Sequence, residues 1–173
     1  LYPSPIKAPT EPERPRCIVH LDLDAFYAAV EVIEHPEYKD QPLLIGGRPE
    51  QRGVVSTASY AARAYGARSA MPMARALQLC PNAIVLPPRH RVYRQYSRRV
   101  IDLLRQVTDR VEQTSIDEAY LDLSEQLDEW ETGVEIARGI QQRVHDQVGL
   151  SASLGVASNK LVAKVASDHD KPG

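Results

Sequence analysis

Four carboxylates stand in two short runs. Asp22 and Asp24 alternate with Leu21 and Leu23, while Asp117 and Glu118 are adjacent between Ile116 and Ala119. Brought together, such groups repel one another, and a cluster of them keeps its charge only with cations between its members. Oxygen donors without a companion set of His or Cys select Mg²⁺ or Mn²⁺ over zinc. Two such ions about 4 Å apart clamp the attacking and leaving oxygens of a phosphoryl transfer. Groups suited to the phosphate side of that chemistry are also present. Tyr60 and Arg63 are three apart and share a face of any helix they occupy, and a guanidinium can fork two phosphate oxygens. Each feature has a plain structural reading as well. Asp-x-Asp ends strands and caps helices, Asp-Glu marks turns, an arginine such as Arg63 sits on any surface, and His20 serves as a packing residue of its strand.

Elements must position these groups. Cys17 to Asp24 alternates, with Val19, Leu21 and Leu23 pointing one way and His20, Asp22 and Asp24 the other, the pattern of a strand with one buried face. A helix is expected from Ala25 to Glu34, stopped near Pro36. Short strands are expected at 42–47, 53–57 and 83–86, with small helices at 59–65 and 73–79 between them. The longest helix runs from about Arg89 to Val107, with Val92, Tyr96, Val100, Leu103 and Leu104 on one stripe. Two closely joined strands follow at 111–114 and 119–123, then an amphipathic helix at 133–148 and a strand at 151–157. A last helix, through Ala166, is capped by Ser158 or Asn159. Asp117 and Glu118 fall between the two joined strands. Neighbours on a flat strand face opposite ways, so the backbone must bend there if both are to reach one site. Removing the small mixed insert leaves β–α–β–β–α–β–α. The expected class is α+β, a split βαβ (ferredoxin-like) antiparallel sheet with helices on one face and the other face open.

Composition sets limits. The chain has 173 residues, 43% hydrophobic and 25% charged, enough for one compact core and a small lobe. No apolar run approaches the ~20 residues of a membrane span, so no membrane partner is expected. Residues 1–16 carry five prolines and few large apolar groups, and are expected to be a flexible arm without a secretory apolar segment. Cys17 and Cys80 sit beside apolar residues and read as free thiols of a reducing cytosol. The net charge of −2 is unusual for a lone DNA binder, whose affinity comes from neutralised phosphates, so the chain is either no DNA binder or a part of one. Arg89, Arg91, Arg94, Arg98, Arg99, Arg105 and Arg110 make one stretch locally basic, either as a solvated helix face or as a surface for phosphates.

Several segments together resemble one family. His20–Glu31 (HLDLDAFYAAVE) is similar to the opening motif of the Y-family, or translesion, DNA polymerases, most like their bacterial polymerase IV branch. Ser115–Asp122 (SIDEAYLD) resembles the second carboxylate motif. Val55–Gly66 (VSTASYAARAYG) and Ala70–Met73 (AMPM) resemble the fingers. Ser153–Lys164 (SLGVASNKLVAK) and Asp168–Gly173 (DHDKPG) resemble the end of the palm.

The resemblance implies a palm of residues 17–25 and 89–173 and fingers of 26–88, with the thumb and little-finger domains absent, as in an excised or proteolytic piece. It implies that Asp22, Asp117, Glu118 and the Leu23 carbonyl hold two Mg²⁺ ions, for which Mn²⁺ substitutes. Asp24 matches no principal ligand. Tyr60, Arg63 and Lys171 would bind the triphosphate with Thr57 nearby, and Tyr27 would be the steric gate that excludes a ribose 2′-hydroxyl, although Tyr27 also reads as a core aromatic. Ser115 and Lys160 match positions of less defined role. The implied partners are primer–template DNA, a deoxynucleoside triphosphate and a sliding clamp reached through regions absent here, in the nucleoid of a bacterial cytoplasm. Primer extension by the piece alone is expected to be weak. Two rivals remain. One is a haloacid dehalogenase-type phosphatase, disfavoured because Ala25-Phe26 follows the aspartates. The other is a non-catalytic palm-like module of a damage-tolerance assembly, disfavoured because the carboxylates are kept.

Overall fold

The computed structural model describes residues 16–127, 130–169 and 171–172; the proline-rich arm, up to residue 15, lies outside the described residues. Strand β1 (Ile18–Leu23) leads into α1 (Phe26–Glu34), then β2 (Leu43–Gly46), β3 (Val55–Ala58), α2 (Tyr60–Ala64), α3 (Met73–Leu79) and β4 (Ile84–Leu86). There follow α4 (His90–Arg105), β5 (Val111–Gln113), β6 (Glu118–Asp122), α5 (Trp130–Val148), β7 (Ala152–Ala157) and α6 (Lys160–His169). The main sheet has the order β5-β6-β1-β7, and every neighbouring pair is antiparallel. The strands β1 and β5 run the same way with β6 between them, which is the split βαβ plan. A second sheet, β3-β2-β4, belongs to the insert.

The core explains the division. Val19, Leu21 and Leu23 of β1 pack with Leu121 of β6, with Tyr93, Val100 and Leu104 of α4, and with Ile140, Val144 and Val148 of α5. Phe26 and Val30 of α1 join this cluster, so the first helix of the insert packs with the main sheet. A separate cluster of Leu44, Val55, Ala58, Ala62, Met73 and Ala76 holds the rest of the insert. Ser59 caps α2 by accepting from the Ala62 N–H at 3.3 Å, and Asn159 caps α6 through the Val162 N–H at 3.0 Å. Glu31 ties α1 to α4. It is 2% exposed and takes a forked bond from Arg89 at 2.9 and 2.5 Å, with the Tyr93 hydroxyl at 2.5 Å. A buried carboxylate needs such partners to remain charged.

One feature differs from the strand pattern in the sequence. Both faces of β1 are covered, and His20 is 0% exposed. The helices α4 and α5 pack on the Leu21 face, while α6 lies over β7 and β1 on the other. On that face Tyr120 packs against the cluster that contains Ala163 of α6, and Lys160 and Lys164 of α6 reach Glu112 and Glu118. The close approach of α6 requires Gly155: a Cβ there would meet the Ala163 carbonyl oxygen at 2.1 Å and the Ser167 nitrogen at 2.4 Å. Gly155→Ala should therefore lower stability by about 2–3 kcal/mol through overpacking. Gly139→Ala, where nothing lies within 4 Å of the new Cβ, should raise it by about 0.5–1 kcal/mol. Denaturant unfolding of the two variants checks both signs.

Candidate active site

The two carboxylate runs meet at the top of β1. Asp22 is paired in register with Glu118 of β6 and, on the other side, with Ser153 of β7. The expected bend at Asp117 is present. Ser115 closes the turn before β6, its Oγ donating to Asp117 Oδ1 at 2.6 Å and accepting from the Glu118 N–H at 3.1 Å. The Leu23 N–H donates to the Asp117 carbonyl at 3.0 Å, which fastens the turn to β1. Just beyond, Ala25 takes a left-handed conformation, φ 43° and ψ 43°, which costs a non-glycine residue roughly 1–2 kcal/mol. That turn swings the chain from the strand into α1 and leaves Asp24 facing inward.

A cleft of about 200 Å³ opens there, and Asp22, Leu23, Thr57, Tyr60, Arg63, Asp117 and Lys171 all line it. Seven of the expected site residues are thus brought together from both sheets. Arg63 lies over the Tyr60 ring at 4.7 Å, as the i,i+3 spacing predicts, and its Nε donates to the Ala58 carbonyl at 3.0 Å. That leaves the terminal guanidinium nitrogens for the cleft. Tyr27 and Glu118 stand beside the cleft without lining it. The Tyr27 ring stacks on Tyr93 at 4.2 Å and 15°, while Phe26 is buried in the core. Lys160 is elsewhere, paired with Glu112 and near the Tyr120 ring.

Asp24 has a different role. It is 4% exposed and accepts from Ser151 at 2.6 Å, Ser153 at 2.8 Å and Tyr60 at 3.4 Å. Those contacts occupy its oxygens and bind the insert to the main sheet.

Three groups balance the charge here; the sequence assigned no role to Lys164, only triphosphate binding to Lys171 and only strand packing to His20. Lys164 reaches both Glu118 oxygens at 2.7 Å. Lys171 lies 2.8 Å from Asp22 and 2.7 Å from Asp168. Lys164 is four residues from Lys160 on α6, a spacing that puts both on the sheet side of the helix, and this was the available signal. His20 sits under them. Its Nδ1 is 2.7 Å from Ser167 Oγ, which itself donates to the Lys164 carbonyl, so Nδ1 carries the proton and Nε2 the lone pair. Burial and the Lys164 charge push the His20 pKa down. The 3.9 Å contact of Nε2 with Glu118 is therefore not an ion pair at neutral pH.

The carboxylates respond unequally. Burial raises the Asp22 pKa to about 6, against the Lys171 ammonium and with help from the Glu118 and Asp117 charges. Burial also opposes the Glu118 charge, but the Lys164 hydrogen bonds and charge outweigh it and hold that carboxyl below its usual range. The donor set, all oxygen, fits a hard divalent cation. In the present arrangement the carboxyls turn to the two lysines, and among the described residues no three acidic, His or Cys side chains are gathered to share one ion. Carboxyl-detected NMR of cation-free protein should place the Asp22 midpoint near 6. Because Lys171 opposes the upward push of burial, Lys171→Ala should move that midpoint higher; a midpoint near 3.8 in the parent chain would mean a solvated carboxyl.

The chain is similar in sequence and fold to known proteins. Residues 21–168 match the family model described as impB/mucB/samB family. DNA polymerase IV of Listeria monocytogenes serotype 4a is 48% identical over 157 residues, a match that covers 91% of this chain and 44% of that protein. DNA polymerase IV of Alkalilimnicola ehrlichii is 50% identical over the same length and shares. The crystal structure of DinB from Sulfolobus solfataricus superposes with a TM-score of 0.85 at 38% identity, covering 90% of this chain and 46% of that one. An insertion ternary complex of Dbh DNA polymerase gives the same values. The chain thus spans less than half the length of these relatives. By sequence over most of its length and by fold, the chain belongs to the impB/mucB/samB family.

Proposed function

We propose that this chain carries the catalytic portion of a template-directed DNA polymerase of the translesion type, with a palm of 17–25 and 89–173 and fingers of 26–88. The observation that carries the reading is the convergence of Asp22, Asp117, Thr57, Tyr60, Arg63 and Lys171 on one cleft. The names of the relatives support the same reading. A module that only bound a partner would have no use for Asp22, whose burial works against its own charge.

Asp22, Asp117 and Glu118, with the Leu23 carbonyl, would hold two divalent cations, Mg²⁺ by preference and Mn²⁺ in its place. Bound there, the ions would supply charge neutralisation at the attacking and leaving oxygens. In the reaction a primer 3′-hydroxyl loses its proton and bonds to the α-phosphorus of a deoxynucleoside triphosphate, and the bond to pyrophosphate breaks. Arg63, steadied by the Tyr60 ring and the Ala58 carbonyl, offers a fork to the triphosphate. Lys171 would exchange Asp22 for a phosphate oxygen, with Asp168 keeping it within reach. Thr57 lines the same cleft and adds a hydroxyl donor. Tyr27, fixed against Tyr93, cannot yield to a 2′-hydroxyl, which is the requirement for a steric gate. Ser115 positions Asp117, and Lys164 positions Glu118.

Template pairing, not side chains, would select the base. With a net charge of −2 the chain neutralises few phosphates by itself, so its unaided primer extension should be weak. A sliding clamp, engaged through segments outside these 173 residues, and a place at the nucleoid in a bacterial cytoplasm complete the proposal. No helix among the described residues is long and apolar enough to cross a membrane.

Calorimetric titration with a deoxynucleoside triphosphate tests it. Binding should require Mg²⁺ or Mn²⁺ and should weaken ~10-fold or more in Asp22→Asn, which is at least ~1.4 kcal/mol. Tyr27→Ala should bind deoxynucleotide normally and lose most of its preference over the ribonucleotide. Metal-independent binding that Asp22→Asn leaves unchanged would sink the proposal.

A further inference from the structure

Next to the cleft lies a second concavity, a groove of about 430 Å³ between α4 and the β5–β6 turn. Arg94, Ser97 and Arg98 line it from the helix, and Gln113, Thr114 and Ser115 from the turn. It is preorganised. Ser97 is 3% exposed, and Gln113 Nε2 donates both to Ser97 Oγ at 3.1 Å and to the Ser115 carbonyl at 2.9 Å. Those bonds fasten the helix to the turn whether or not anything occupies the groove.

Its charge is uncompensated. Of the other arginines of the region, Arg89 is engaged with Glu31, Arg105 with Asp102 and Arg99 with the Gln147 carbonyl, while Arg91 is exposed and lies outside the groove. Arg94 and Arg98 are exposed and form no ion pair with a described residue. No carboxylate lines the groove. Two guanidiniums one helical turn apart repel each other, and an anion between them reverses that sign. Thr114 and Ser115, both exposed, add hydroxyls of the kind that contact phosphate oxygens. The two sites also share a turn: Ser115 lines the groove and bonds Asp117, which lines the cleft.

We propose that this groove docks backbone phosphates of the DNA beside the reacting primer end, an inference that rests on the polymerase reading above. The spacing suits a strand more than a free anion. Arg94 and Arg98 are about 6 Å apart along the helix axis, while a DNA strand carries one charge per ~3.4 Å of its axis. The pair therefore spans one to two phosphate intervals and can reach two phosphates of one strand. Contacts of this kind set the register of the duplex without reading its sequence.

The test is anisotropy of a labelled primer–template with this chain between about 50 and 200 mM salt. Arg94→Ala/Arg98→Ala should weaken binding ~10-fold at the low end and reduce the log–log salt slope by about 2, near 0.9 per phosphate lost. Arg138→Ala, exposed on α5, should do neither. Replacing single phosphates near the junction by uncharged methylphosphonates, on the primer strand or on the template strand, identifies which strand lies in the groove. That replacement should cost affinity in the parent chain and not in the double variant. An unchanged salt slope, or additive losses on both strands, overturns the proposal. Metal-dependent deoxynucleotide binding should persist in the double variant. Its absence from the parent chain, with the groove effect intact, would strike the polymerase reading and leave the groove as a DNA site.

Discussion

Asp22 and Glu118 are cross-strand partners on β1 and β6, and like charges in that relation destabilise a sheet. Much of the remaining architecture relieves this repulsion. The helix α6 crosses back over β7 and β1 to deliver Lys164 to Glu118, and the segment after it delivers Lys171 to Asp22. That crossing is possible only because position 155 has no side chain to hold the helix away. His20, kept neutral by burial and by the Lys164 charge, fills the space beneath without adding a charge of its own. The site is thus a balance in which two ammoniums offset carboxylates that the sheet register forces together.

Some of this was legible in the sequence. The alternation around Asp22 gives the strand, the prolines and glycines bound the insert, and the helical spacing of Tyr60 and Arg63 gives their shared face. The two adjacent carboxylates imply a bend, and Ser115 supplies it. Other features depend on partners distant in sequence and leave no local trace. Asp24 matches no principal ligand, but what holds it shows only when Ser151 and Ser153, more than 120 residues away, are found on it. The second cover on β1 was hidden because Ser153–Lys164 reads only as a strand followed by a capped helix. Only the packed structure shows that the small residue at 155 admits α6. The Phe26–Tyr27 pair illustrates the same limit: sequence says the two rings must part, but only packing says which enters the core.

Beyond α1, few polar links among the described residues join the insert to the sheet. Its own apolar cluster is small, and its cross-connections to the palm include the Tyr60–Asp24 hydrogen bond, at 3.4 Å a long one. The Glu31–Arg89–Tyr93 network is much tighter, but it fastens α1 and α4 and so belongs to the base on which the insert rests. Thr57, Tyr60 and Arg63 thus stand on the part with the smaller apolar core, and fewer buried apolar contacts make subglobal opening less costly.

Lys171 adds a property of another kind. Its ammonium is tethered next to Asp22, with Asp168 restraining it from the other side. A tethered competitor acts at an effective concentration on the order of millimolar, so any ion entering must outbid a resident one. On the proposed reading, a doubly charged ion would displace it more readily when a nucleotide arrives with phosphates to receive the lysine. The side chain would then act as a threshold filter that makes occupancy of the carboxylates contingent on substrate.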